Sequence, residues 1–334
     1  MGVVAEQYQE EAVEPPKRRR RRWVTAVLLL LVLALTGLTV LRLGGFDGNR
    51  FTVAALALTP YIAGFALLVC LLALLLGRRM LSLLALVQAI TLGVLLVPRS
   101  LADGEPMPDG QRVRVMTANL LLGKADATTL VNLVRDARVD VLALQELTPA
   151  SVDALDQAGL GELLPYRVLR EQAGGSGAGL MAKVPLRQIV LIDEPMSFQH
   201  PAVVVDLSGA VDLEIMAVHA MPPVGSERNR ITWNRELAAL PGSDTSHRPR
   251  VLAGDFNATL DHRALNAVLD RGYFDGAELA GEALRPTWSQ YPFGPPMTID
   301  HVLVDRRIGV PTSAVYDLPG SDHNALLTEL ILPE

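Results

Sequence analysis

Val251-Leu252-Ala253-Gly254-Asp255-Phe256-Asn257 decides the fold. A short apolar run that stops abruptly at Gly, Asp and Asn describes a buried strand handing polar groups to the edge of a sheet. The same punctuation recurs on both sides of it. Residues 112–118 run into Asn119, residues 139–144 into Gln145 and Glu146, and residues 213–218 into His219. Asp300 and His301 follow Thr298-Ile299, and Asp322 and His323 stand just before the apolar run 325–330. Further strands are predicted at 180–182, 202–207 and 300–304, with helices at 126–137, 149–158, 227–240 and 262–271. Strands interleaved with helices imply a layered α/β domain over residues 112–332. Asp261 and His262 are expected to cap the helix that follows the heptapeptide. The glycine-rich stretch 174–179 lacks the spacing of a phosphate-binding loop and is expected to be a turn between strands.

The residue types at these strand ends share one chemistry. Glu146 with one or two of Asp255, Asp300 and Asp322 makes a hard, oxygen-rich site suited to Mg²⁺ or Mn²⁺. Asn119 and Asn257 can donate to phosphate oxygens without adding charge repulsion. His219 and His323 suit acid–base work near neutral pH. The chain has one cysteine and no HExxH, which argues against a zinc protease.

N-terminal to this domain the composition changes. Mean hydropathy over the 334 residues is +0.28, high for a chain living wholly in water. The excess lies in three apolar stretches, 24–41, 51–76 and 80–97, each long enough for a membrane span, with Pro60 the point where the second kinks or starts. Charge divides the chain likewise. Residues 1–100 carry a balance of +6 and residues 101–334 one of −12. That acidic balance argues against a domain that grips nucleic acid by its phosphates alone. Lys17, the arginines 18–22, Arg78 and Arg79 outnumber Arg42, Arg50 and Arg99 on the opposite side of the spans. Positive residues stay in the cytoplasm, so the basic tail 1–23 is expected inside, with the catalytic domain beyond a linker 98–111 outside the plasma membrane. Residues 6–16 read as disordered. Cys70 falls within a span and is expected to pack as a small hydrophobe.

Met116-Thr117-Ala118-Asn119, Leu144-Gln145-Glu146, Val218-His219, Gly254-Asp255-Phe256-Asn257, Ile299-Asp300-His301 and Ser321-Asp322-His323, in this order, resemble the endonuclease/exonuclease/phosphatase superfamily. The resemblance implies a four-layer α/β sandwich, two packed sheets flanked by helices, here preceded by three transmembrane helices. It implies metal-dependent hydrolysis of a phosphoester, most readily a phosphodiester, by in-line attack of water. Glu146, Asn119 and Asp322 would serve the metal. Asp255 would orient or deprotonate the water, and Asn257 and Asn119 would hold the phosphate. His323, oriented by Asp300, would contact the phosphate or act as base, and His219 would be a second acid–base group, with Glu171 the nearest candidate partner by order. After Glu146 the segment departs from the family pattern, with Leu147-Thr148-Pro149 where many members carry a basic residue.

The substrate stays open between three classes. The anchor and the apolar, aromatic stretch 288–297 (WSQYPFGPPM) favour a phospholipid diester. Arg228, Arg230 and Arg235 after His219 favour an extracytoplasmic nuclease on DNA or RNA, with Arg230 the candidate substrate contact. A non-enzymatic scaffold is disfavoured, because no expected catalytic position is lost. The lipid bilayer is the partner the sequence implies, and no obligate protein partner is inferred.

Overall fold

The computed structural model describes residues 17–104, 107–209, 211–289 and 294–333. The expected disorder of residues 6–16 lies outside them. Four helices come first, α1 (Lys17–Gly44), α2 (Arg50–Ala57), α3 (Thr59–Leu75) and α4 (Arg79–Leu96), the last continued by a 3₁₀ turn Val97–Ser100. Helix α1 therefore begins inside the stretch assigned to the basic tail. Among the described residues, Arg22–Gly44 and Arg79–Ser100 are each long and apolar enough to cross a membrane.

The second apolar stretch is not one straight helix. Helix α2 ends at Ala57, α3 starts at Thr59, and the two diverge by 68°. Pro60 sits in the first turn of α3, where its missing N–H costs no hydrogen bond. The pair makes a third candidate span only if taken together. Small residues let α1, α3 and α4 approach closely: Ala66, Val69, Ala73 and Ala85 are fully buried. Polar side chains cross the same interior, Gln88 Nε2 donating to Thr36 Oγ1 at 2.5 Å and Ser82 Oγ to the Cys70 carbonyl at 3.0 Å. The outward faces are leucine-rich, with Leu75 82% exposed.

The remaining chain folds as two six-stranded sheets. The first holds β1 (Arg112–Asn119), β2 (Val141–Gln145), β3 (Tyr166–Arg170), β4 (Ala178–Ala182), β11 (Gly309–Tyr316) and β12 (Ala325–Ile331), in the order β11-β12-β1-β2-β4-β3. The second holds β5 (Leu186–Ile189), β6 (Ala202–Val205), β7 (Leu213–His219), β8 (Arg250–Asp255), β9 (Tyr273–Asp275) and β10 (Asp300–Asp305), in the order β5-β6-β7-β8-β10-β9. Each has one parallel pair at its centre, β1 with β2 and β7 with β8, joined by a crossover containing α5 (Ala127–Asp136) or α8 (Glu227–Ala239). Helices α6 (Pro149–Gln157), α7 (Leu160–Leu163), α9 (Arg263–Leu269) and α10 (Gly276–Leu279) complete the domain. Val115, Val141, Ala143 and Leu180 of one sheet pack against Val203, Ile215, Val251 and Val302 of the other, a dry core between two β layers. Separate apolar clusters lie under the helices on each outer face.

The expected linker 98–111 is held to the domain at Arg99 and Asp103, and the expectation about Asp261 needs correction. The buried Arg99 and the backbone of Asp103 bond to the domain, Ala283 N–H donating to the Arg99 carbonyl at 3.2 Å and Asp103 N–H to the Leu279 carbonyl at 2.8 Å. Asp261 does not cap α9. The cap position belongs to His262, whose side chain makes no capping bond, and Asp261 is buried against arginines from the helical bundle.

Candidate active site

Strand register lines up the acid–base groups of the second sheet. His219 stands opposite Asp255 across the β7–β8 pair, and Asp255 stands opposite Asp300 across the β8–β10 pair. Gly254 makes this approach possible, since a Cβ there would meet the Val218 carbonyl oxygen at 1.9 Å. From the facing sheet, Asn119 closes β1 and Glu146 follows β2. Asn119 Nδ2 lies 3.3 Å from Glu146 Oε1 and 3.2 Å from Asp255 Oδ2, bridging the two sheets at one edge. The turn before β12 adds His323, whose Nδ1 donates to Asp300 Oδ2 at 2.9 Å while Nε2 faces Asp255 Oδ2 at 3.7 Å.

The backbone at this edge is strained in four places. Leu121, Leu122, Glu146 and Asn257 all have φ between 44° and 57°, a region that non-glycine residues enter at a cost of about 1–3 kcal/mol each. Local bonds hold them there. Leu122 N–H donates to Glu146 Oε2 at 2.6 Å, Leu121 N–H to Asn119 Oδ1 at 3.0 Å, and Asn257 N–H to Asp255 Oδ1 at 2.8 Å. Asn257 Nδ2 also donates to the Ala220 carbonyl at 3.0 Å. With the backbone so placed, Glu146 Oε1 lies 3.3 Å from Asn119 Nδ2 and Asn257 Nδ2 lies 3.2 Å from Asp255 Oδ2.

Burial and neighbouring charge separate the titrations. Burial pushes Asp255 up to about 7, against the pull of His323 and with the repulsion of Asp300. Burial alone would lower His323, but Asp300 and Asp255 outweigh it and raise the imidazole to about 10. Burial, with the charges of His200 and His323, lowers His219 to about 3, leaving it a neutral ring. That ring stacks on Phe198 at 4.3 Å between centroids. Its Nδ1 is buried without a hydrogen-bond partner among the described residues. No described contact joins Glu171 to it.

Glu146, Asp322 and Asn119 carry the oxygen donors that a small hard cation takes, with Glu146 Oε1 3.3 Å from Asn119 Nδ2 and Asp322 Oδ1 3.9 Å from His323 Nε2. Asp322 Oδ2 accepts from Trp288 Nε1 at 3.1 Å, while Oδ1 is buried without a partner. Asp255, Asp300 and His323 also bring three ligand-type atoms within 4.8 Å of one another. In that trio His323 Nδ1 is already engaged by Asp300 Oδ2 at 2.9 Å.

Seven of the expected side chains thus meet at one edge, with Asp322 beside them. Arg230 does not join them: its Nε donates to Glu227 Oε1 at 2.5 Å. In the stretch 288–297, Trp288 turns inward to Asp322 and pairs with Met297, whereas residues 290–293 lie outside the described residues. Two contributors escaped the sequence reading. Thr287 Oγ1 accepts from the N–H groups of Ile299 and Asp300 at 3.1 and 3.0 Å, and nothing in a lone threonine signals that. Ser321 Oγ accepts from His323 N–H at 3.0 Å and donates to the Asn119 carbonyl at 2.8 Å. Its place beside Asp322-His323 was a usable signal.

The sequence profile of the Endonuclease/Exonuclease/phosphatase family matches residues 116–323. The chain is similar to D. rerio TDP2 complexed with single-strand DNA product, with TM-score 0.52 and 18% identity over 66% of this chain and 99% of that one. It is similar, too, to a point variant of the 3′ phosphatase NExo from Neisseria bound to a product DNA hairpin, with TM-score 0.51 and 18% identity over 65% and 98%. No curated protein matches the sequence.

Proposed function

The chain belongs to the endonuclease/exonuclease/phosphatase family, which hydrolyses phosphoester bonds with divalent metals, and from that premise we propose a membrane-docked, extracytoplasmic phosphodiesterase. The observation that carries this reading is the row His219, Asp255 and Asp300 across three adjacent strands, faced by Asn119 and Glu146. Glu146, Asp322 and Asn119 would hold Mg²⁺ or Mn²⁺. When bound, the ion offsets negative charge on the phosphoryl oxygens. Asp255 orients and deprotonates the attacking water. Protonated His323, kept in orientation by Asp300, donates to the phosphate or the leaving oxygen. Asn257 and Asn119 bind phosphate oxygens. His219, neutral and stacked, lines the site beside Asp255 and Glu146, whose carboxylate oxygens lie 3.8 and 3.9 Å from Nε2, and is the candidate second acid–base group.

Three spans fit the bundle best. Arg22 and Arg78 line one cavity at its far end, whereas Arg42, Tyr61 and Arg99 contact the catalytic domain. Helix α3 therefore runs the length of the bundle, about 26 Å at 1.5 Å per residue. The near-side arginines are each engaged by the domain: Arg42 and Arg99 by Asp261, and Arg50 by the Gly225 carbonyl and Glu227. This supports a cytoplasmic N-terminus and an external catalytic domain.

The DNA in the two similar structures favours a second reading, an extracytoplasmic nuclease or DNA-end phosphatase. Full-length protein in nanodiscs, supplied with Mg²⁺, separates the two when offered phospholipid diesters and DNA ends in parallel. Hydrolysis of neither, nor of a small soluble diester, would overturn the phosphodiesterase assignment.

A further inference from the structure

The segment that carries Asp255 and Asn257 runs directly into the segment that grips the helical bundle. Asp261 is 2% exposed and accepts from two arginines on different helices. Arg42 Nε, near the end of α1, lies 2.6 Å from Oδ1, and Arg99 Nη1 and Nη2, just after α4, lie 3.0 and 3.1 Å from Oδ2 and Oδ1. Arg99 Nη2 also donates to the Leu260 carbonyl at 3.2 Å. Beside this clamp, His262 Nδ1 accepts from Thr259 N–H at 2.8 Å, which places its proton on Nε2 and directs it to the Val53 carbonyl of α2 at 2.9 Å. Asp47, in the α1–α2 turn, accepts from Ala264 N–H at 3.1 Å. Ala258, the residue after Asn257, is fixed by His301 Nε2, 2.8 Å from its carbonyl oxygen.

We infer that the Arg42–Asp261–Arg99 clamp makes the domain-side end of the bundle a positioning element for the Asp255–Asn257 loop. Asp261 and His262 touch no reacting atom and act through Thr259 and Ala258. Asn257 adopts a left-handed conformation (φ 48°) that must be held from both sides. Upstream the hold is β8 and the Asp255 carboxylate; downstream it is the His301 bond to the Ala258 carbonyl and, beyond it, the clamp. Breaking the clamp leaves the buried Arg99 and the half-buried Arg42 without their counter-ion and loosens the downstream anchor, and Asn257 relaxes out of the site. Domain and bundle are then one catalytic unit, and the spans set turnover as well as location. The inference rests on the phosphodiesterase reading above.

The test uses full-length protein in nanodiscs and a soluble diester, bis(4-nitrophenyl) phosphate, so that access to a membrane-borne substrate plays no part. Asp261→Asn keeps the side-chain shape and removes the charge. It is expected to lower kcat at least tenfold and raise KM several-fold. Loss of folded protein alone would lower the apparent kcat and leave KM unchanged. A reversible lock separates positioning from folding. A Cβ on Gly45 would lie 3.5 Å from Arg263 Cβ, within disulfide range, although φ at Gly45 is +61° and strained for cysteine. With Cys70 replaced by alanine, oxidised Asp261→Asn/Gly45→Cys/Arg263→Cys is expected to regain most of the lost kcat and to lose it again on reduction. Wild-type kcat and KM in Asp261→Asn, or a formed disulfide that restores nothing, would overturn the inference. If Asp261→Asn does not fold, Arg42→Gln takes its place, because Arg99 still pairs Asp261. A several-fold rise in KM with a fall in kcat supports the clamp, and unchanged constants overturn it. Wild-type inactivity toward the diester sinks the proposed function itself, and the inference with it.

Discussion

Asp255 and His323 share one buried electrostatic balance, and each makes the other testable. Burial raises Asp255 from 3.8 to about 7, so folding disfavours its charged form. The sign follows: the neutral carboxyl costs nothing below about pH 4, and stability is lost as pH rises from there towards 7. In chelator, Asp255→Asn is therefore expected to melt several degrees above wild type at pH 8, with the gap closing below pH 4. Calorimetry at the two pH values checks this, and a variant that melts lower than wild type at pH 8 contradicts it. Turnover should follow the same group, rising with pH at a midpoint of about 7 or below, since a bound cation favours the carboxylate. The alkaline limit belongs to His323, whose proton is held until about 10. A rate maximum near pH 4–5 that declines through 7 would remove Asp255 from the role of base.

At the scale of elements, Thr287 is the most exposed weakness of the design. One hydroxyl accepts two backbone donors at the entry to β10. Thr287→Val keeps the shape and leaves both N–H groups without a partner, at about 1–3 kcal/mol each. It is expected to lower the melting temperature and to cut kcat several-fold through displacement of Asp300. An unchanged kcat beside a lowered melting curve would confine Thr287 to a structural role. The central strands and the polar groups at their ends were legible because a buried strand announces itself by an apolar run and its end by an abrupt polar residue. Strands β3, β5, β9 and β11 were not, because Tyr166–Arg170 and Leu186–Ile189 are edge strands with mixed, half-exposed faces, Tyr273–Asp275 is three residues long, and Gly309–Tyr316 contains a proline. Asp261 misled for another reason. An aspartate before a helical run has the sequence of a cap, and only the packed bundle, some 160 to 220 residues away along the chain, reveals that it is a counter-ion.

For the molecule as a whole, the bundle and the two-sheet domain meet through hydrogen bonds, ion pairs and the apolar contact of Val53, which packs with Trp233 and Phe256 of the domain. A phosphatase reporter fused after Pro98 is expected to be active outside the cytoplasm, and a reporter active only in the cytoplasm should be silent there. The reverse pattern would place the cleft on the inner face. Catalysis itself is tested most directly by metal dependence at the cleft. Full-length wild type and Glu146→Gln are assayed for hydrolysis of bis(4-nitrophenyl) phosphate after exhaustive chelation, then after Mg²⁺ or Mn²⁺ is returned, with melting curves recorded beside the rates. The expected result is that chelation abolishes wild-type turnover, the ion restores it, and Glu146→Gln stays inactive at every ion concentration while remaining folded. Undiminished wild-type turnover in chelator, or wild-type rates from Glu146→Gln, would contradict the account.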